Sequence, residues 1–268
     1  EPPARRGPTG VPVPAMANFD RVVTGLMERW KVPGGALAVA KDGRLVLARG
    51  YGLADVEEKE PVQPDSLFRL ASISKPITGV AILSLAGQGR LDLDAKAFAI
   101  LDGLQPPANA GKDPRIDDIT IVQLLQHSGG WDRSRSFDPM FIPGRAAREV
   151  GSPEPASCET VIRFMLGQRL SFDPGTRYAY SNFGYCALGR VVERVTGLPY
   201  HQYVKTQVFE PMGITQMRIG SSFLEGRAEN EVRYYAHPGA PPARPVFPDV
   251  RQWVPRPYGG FHLEAMDS

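Results

Sequence analysis

Cysteine is scarce in this 268-residue chain, with two only, Cys158 and Cys186. They stand far apart and form no C-x-x-C pair, so neither a disulfide framework nor a thiolate zinc site is signalled, and both read as buried thiols. Histidine is scarce as well. His127, His201, His237 and His262 are scattered without the H-E-x-x-H spacing of a metal site, which speaks against a metal enzyme. No apolar run approaches the roughly 18 residues that span a bilayer, and residues 1–10 lack the apolar stretch of a signal peptide, so the expectation is a soluble chain with no membrane span. An excess of one charge is missing too. Lys and Arg total 31 against 29 Asp and Glu, a balance that gives no general attraction to nucleic acid. The first residue is Glu1 rather than Met, which leaves localisation open between a periplasmic or secreted protein and a cytoplasmic one.

What is present is core-forming material, 42% hydrophobic residues, enough for one large domain or two interleaved lobes. Residues 1–14, with five prolines, read as an extended tail. From Ala15 to Trp30 the spacing of Phe19, Val22, Val23, Leu26 and Trp30 predicts an amphipathic helix, broken at Pro33-Gly34-Gly35. Two β-prone runs, Ala36 to Ala40 and Leu45 to Ala48, flank Lys41-Asp42-Gly43-Arg44, and Asp-Gly between apolar runs signals a hairpin. Pro76 places a helix start within a few residues of Ser72, because proline is tolerated in a first helical turn. Further helices are expected at Thr120 to Gln126, Cys158 to Gly167, Asn182 to Thr196 and Tyr200 to Val208. Met217 to Gly220 and Glu231 to Ala236 have strand character, whereas Pro238 to Pro257 holds too much proline for a central strand.

The chemistry centres on Ser72-Ile73-Ser74-Lys75. A serine hydroxyl is a poor nucleophile until a base takes its proton, and Lys serves only where desolvation or neighbouring cations favour its neutral form. At i and i+3 on a helix the two side chains share a face, and a buried helix start offers a backbone N–H to a developing oxyanion. Alone, S-x-x-K is a weak signal, and an ordinary surface serine and lysine explain it equally well. Its context is more informative: the apolar run Leu67 to Leu70 before it, a helix after it, and Tyr180-Ser181-Asn182 about a hundred residues on. Taken singly, Tyr180 reads as a core tyrosine, Asn182 as a helix N-cap, and His127 as the base of a Ser-His-Asp triad or as a residue shaping a loop, the second being the expectation. No G-x-S-x-G surrounds any serine.

The stretch Phe68-Arg69-Leu70-Ala71-Ser72-Ile73-Ser74-Lys75-Pro76 resembles the active-site segment of the serine β-lactamase and penicillin-binding protein superfamily, in the branch of class C β-lactamases, D-aminopeptidases and related esterases. Tyr180-Ser181-Asn182, after Phe172-Asp173-Pro174-Gly175, looks like that branch's Y-x-N element. Leu124-Leu125-Gln126-His127-Ser128-Gly129-Gly130 is similar to its L-L-x-H-T-S-G segment. The resemblance runs from about Gly34 to Met217. It implies an α+β, β-lactamase/transpeptidase-like fold, an antiparallel sheet flanked by helices plus a mainly helical lobe. Residues 15–75 would form the first part of the sheet lobe and carry the nucleophile, 76–212 the helical lobe, and 213–268 an incomplete return.

It further implies that Ser72 is acylated, that Lys75 and Tyr180 share proton transfer, and that Asn182 binds the substrate. No metal or organic cofactor is expected. The substrate would be a small-molecule or peptide-like amide, β-lactam or ester. The competing reading is a non-catalytic scaffold or peptide-binding member of the same fold. The third motif, K-T-G or H-x-G, is not convincingly present; His237-Pro238-Gly239 fits the letters but comes too early. By the resemblance the remaining strands and half of the oxyanion hole lie beyond Ser268, either on a second polypeptide or on the rest of a chain of which this is a truncated part.

Overall fold

The computed structural model describes residues 7–154, 156–220 and 226–235, and the backbone of two short strands at 243–245 and 253–255. The chain divides into two compact units, one built from residues up to Arg69 together with the 226–235 segment, the other from Leu70 through 220.

In the first unit a short 3₁₀ turn, Pro14–Met16, leads into α1 (Ala17–Trp30). Strand β1 (Gly34–Lys41) then pairs antiparallel with β2 (Arg44–Asp55). The hairpin turn is Asp42-Gly43, with φ of 51° and 71°. Positive φ at both central residues makes it the primed turn whose twist matches the strands it joins. A short β3 (Glu60–Pro61) extends the sheet in the order β1-β2-β3. Close backbone approach explains Gly50 in the middle of β2, where an added Cβ would lie 2.2 Å from the Val62 carbonyl. The residues ahead of α1 are tied to this sheet, since Thr9 N–H donates to the Gly50 carbonyl at 2.9 Å.

The apolar stripe of α1 does not face a core. Phe19, Val22, Leu26 and Trp30 are 41%, 59%, 52% and 59% exposed. The helix meets the sheet with a neighbouring face. The Asp20 carboxylate accepts from Tyr51 at 2.7 Å and from Arg49 at 3.3 Å, and Met27 lies against Gly52.

The strand expectations for 217–220 and for the described part of 231–236, residues 231–235, fail. No strand forms at 217–220, Glu231 makes a lone bridge with Leu67, and 232–235 are irregular. The segment attaches through a few backbone bonds, Val232 N–H donating to the Leu67 carbonyl at 3.0 Å and Arg233 N–H to the Ala54 carbonyl at 2.8 Å, and through side chains. The Tyr234 hydroxyl accepts the Arg69 N–H and the Tyr235 hydroxyl accepts the Val56 N–H, each at 2.7 Å.

The second unit carries the large core. It comprises α2 (Ser74–Gly87), α3 (Ala97–Ile100), α4 (Ile121–Leu125), α5 (Pro143–Val150), α6 (Cys158–Leu166), α7 (Asn182–Thr196) and α8 (Tyr200–Tyr203). Helix α7 is the hub, packing on α2, α3, α4, α6 and α8. Phe183, Ala187, Leu188, Val191 and Val192 on it are essentially fully buried. Beyond α8 the chain continues as a π-helical stretch, Val204–Phe209.

Cys158 and Cys186, expected as separate thiols, are joined in a disulfide linking α6 to α7. The two helices pack side by side and bring the Cα atoms to 6.3 Å, within bridging range. Ala243–Pro245 (β4) and Trp253–Pro255 (β5) pair as a separate two-stranded sheet inside the proline-rich stretch. His237-Pro238-Gly239 lies outside the described residues.

Candidate active site

Ser72 sits on a 3₁₀ turn, Ala71–Ile73, that runs directly into α2, and Lys75 is the second residue of that helix. The helix proper therefore starts two residues later than Ser72, with Pro76 inside its first turn. The handover still places Lys75 Nζ 3.3 Å from Ser72 Oγ. Ala71, immediately before the serine, has φ of 46°. That left-handed backbone is uncommon for a residue with a Cβ, and such strain concentrates at functional turns. Ser72 is exposed while Lys75 is 5% exposed, so the hydroxyl faces solvent and the amine is held below it.

Tyr180 and Asn182 arrive from the N-terminal end of α7. Ser181 caps that helix, its Oγ accepting the Gly184 N–H at 3.0 Å. The cap that Asn182 alone would suggest is thus made by its neighbour, which leaves the Asn182 side chain free for the site. Tyr180 Oη lies 2.7 Å from Ser72 Oγ. Asn182 Oδ1 accepts from Lys75 Nζ at 2.8 Å, and its Nδ2 donates to Asp138 Oδ2 at 2.7 Å. All four residues singled out in the sequence meet within one hydrogen-bonded chain.

His127 fixes the backbone on both sides of Tyr180. Its carbonyl accepts the Ala179 N–H at 2.7 Å and its imidazole Nδ1 accepts the Ser181 N–H at 3.1 Å. Its ring lies 4.7 Å from the Tyr180 ring. The residue can reach both bonds because α4 ends at Leu125 and His127 itself adopts φ of 57°. A capping box, Thr120 with Gln123, anchors the start of α4. Burial, followed by the charges of Lys75 and Arg133, holds the His127 imidazole below its ordinary range, so the ring is neutral here and its Nδ1 can accept the Ser181 N–H.

The electrostatics converge on Tyr180. Burial alone would raise its phenol pKa, but hydrogen bonds to Lys75 and Ser72, with the charges of Lys75 and Arg133, outweigh it and lower the pKa. The Lys75 ammonium is 5.1 Å from the centre of the Tyr180 ring and 5.7 Å from that of Tyr185. The Arg133 guanidinium covers the Tyr180 ring at 4.7 Å. Arg133 and Asp138 were not among the residues expected from the motifs. Asp138-Pro139 is readable in advance only as the start of a turn. Arg133, Phe137, Asp138, Tyr180 and Asn182 line a small, shallow hollow. Among the described residues, no group of three or more His, Cys, Asp or Glu side chains is placed to hold a metal ion.

The chain resembles known proteins over most of its length. The family model described as Beta-lactamase matches residues 19–267. The chain is 34% identical to Esterase EstB of Burkholderia gladioli over 205 residues, covering 74% of this chain and 50% of that protein. It is 32% identical to the probable fimbrial assembly protein FimD, serogroup H1, of Dichelobacter nodosus over 176 residues, covering 66% of this chain and 41% of that one. Among solved structures, the octameric penicillin-binding protein homologue from Pyrococcus abyssi superposes with a TM-score of 0.67 at 26% identity, over 94% of this chain and 54% of that one. The chain thus spans about half the length, or less, of the curated relatives it matches.

Proposed function

We propose, from the premise that this chain belongs to the Beta-lactamase family, that it is a serine hydrolase working through an acyl-enzyme on Ser72. The observation that carries the reading is the exposed Ser72 Oγ, held at 2.7 Å from Tyr180 Oη and 3.3 Å from a buried Lys75 Nζ. Such a nucleophile beside a proton acceptor of adjusted pKa is what acyl transfer requires.

Tyr180 and Lys75 act together as one proton store. When the pair holds one proton fewer than its fully protonated form, that vacancy accepts the hydroxyl proton of Ser72. The Oγ then attacks the carbonyl carbon of an ester, amide or lactam and forms a new C–O bond. As the carbonyl re-forms, the bond to the leaving oxygen or nitrogen breaks, and the stored proton passes to that atom. In the second half, water gives a proton to the same pair, its oxygen attacks the acyl carbon, and Ser72 Oγ departs with the proton. Esters are the first substrates to test, given the 34% identity to an esterase. Asn182 Nδ2 keeps one N–H beyond its bond to Asp138, and it is available to the substrate.

The partner proposal follows from length. About half of the esterase relative lies outside the matched part, and the α1 stripe is uncovered among the described residues. We propose that further polypeptide, contiguous or separate, completes the sheet unit.

The test is intact-mass spectrometry after incubation with a fluorophosphonate. The expected result is a single adduct, mapped to Ser72 and missing in Ser72→Ala. No adduct on the wild type, or an equal one on Ser72→Ala, would reject the catalytic reading and favour a non-catalytic member of the fold.

A further inference from the structure

The outer end of the hydrogen-bonded chain is a residue that the motifs leave out. Asp138 caps a 3₁₀ turn with one oxygen, Oδ1 accepting the Met140 N–H at 3.2 Å. Its other oxygen, Oδ2, accepts from Asn182 Nδ2 at 2.7 Å and from Arg133 at 3.3 Å. The carboxylate is 11% exposed and Asn182 is 7% exposed, so water competes weakly for the bond between them, while the Arg133 side chain is 47% exposed and its bond is the weaker of the two.

The two ends of the Asn182 amide are chemically distinct, and its neighbours are too. An ionised carboxylate only accepts hydrogen bonds, while an ammonium only donates them. With Asp138 on one side and Lys75 on the other, a single orientation of the amide satisfies both, NH₂ toward Asp138 and carbonyl toward Lys75. Asp138 thereby selects the face that Asn182 shows to Lys75. The same oxygen also ties down Arg133, whose guanidinium covers the Tyr180 ring. One carboxylate thus restrains the groups on both flanks of the proton-transfer pair.

We infer that Asp138 is a positioning residue for acylation of Ser72, acting through Asn182 on Lys75 and through Arg133 on Tyr180. This rests on the hydrolase reading above.

Asp138→Asn is the discriminating variant. Its Oδ1 can keep the Met140 cap, so the turn survives, but an NH₂ then faces the NH₂ of Asn182. The amide must lose that bond or rotate and present its NH₂ to Lys75. Fluorophosphonate labelling of Ser72 is followed over a range of probe concentrations, separating the limiting rate from the half-saturating concentration. The final labelled fraction reports how much of the protein is folded.

The expected result is a limiting rate at least about tenfold lower, the scale of a misplaced reacting group, with half-saturation within about threefold of wild type and full final labelling. A limiting rate within about threefold of wild type, or a change confined to half-saturation, overturns the positioning role. Loss of rate that tracks loss of labelled fraction reduces Asp138 to a structural cap and overturns it equally. If wild type is not labelled at all, it is the hydrolase reading that fails.

Discussion

Lys75→Ala removes the most buried member of the site and tests the proposed proton path directly. Lys75 donates to Ser72 at 3.3 Å and to Asn182 at 2.8 Å, and its charge is among the influences that lower the Tyr180 phenol. Truncation therefore removes a proton-transfer group and weakens the one left behind. A positioned acid–base group is worth on the order of 10²–10⁴ in rate, so acylation should fall at least about a hundredfold, equivalent to about 2.7 kcal/mol of barrier. Stability responds separately. The buried Asn182 carbonyl loses its donor, which costs about 1–3 kcal/mol, and release of the ammonium from a buried position offsets part of that. The assay is the pseudo-first-order rate of Ser72 labelling, with a melting curve on the same sample to show that the protein is folded. A folded variant acylated within about threefold of the wild-type rate would refute the assignment and place the base elsewhere.

Three further outcomes are expected. Arg133→Met removes a cation that lowers the Tyr180 pKa; the phenol pKa then rises, so the acid limb of the acylation profile moves to higher pH, and an unmoved or oppositely moved limb contradicts the electrostatic account. His127 is held below its ordinary value of 6.5, so the stability due to its neutral ring is full above about 6.5 and is lost as pH falls through the lower folded value. Wild type should therefore lose melting temperature on acidification more steeply than His127→Asn, and parallel curves would dismiss the effect. Opening the Cys158–Cys186 bridge frees a loop with a sequence separation of 28, worth about 3.6 kcal/mol of unfolded-state entropy. The double Cys→Ala variant should melt markedly lower, and uptake of iodoacetamide by unfolded, unreduced wild type would show that the bridge is not there.

Much of this molecule can be read in advance where local chemistry has one answer. Asp42-Gly43 admits few turns other than the one found, and α7 runs over the expected residues because Ser181 caps it and Gly197, at φ of 73°, ends it. The apolar stripe of α1 shows the limit of periodicity, which says that a face is apolar and not what covers it. Helix α5 escapes notice for a different reason. It buries Gly144, Ala146 and Ala147 in place of large side chains, so its period is marked by Arg145, Arg148 and Glu149 on the outer face and not by a stripe of large apolar residues. The cysteine pairing depends on two helices lying side by side, a fact of packing that spacing along the chain does not contain. Arg133 and Asp138 are hidden similarly, since each works on a residue more than forty positions away.

Every group assigned to the proposed proton path, Ser72, Lys75 and Tyr180, and the Asp138 that would position them, belongs to the unit that begins at Leu70. Reactivity and selectivity can then be varied as separate properties. On the proposed mechanism, a small electrophile reports on these groups and on whatever completes the oxyanion hole, whereas discrimination among bulky acyl donors is open to change in any loop added around them. Probes graded by size, from a compact fluorophosphonate to extended esters, would show where the first property ends and the second begins.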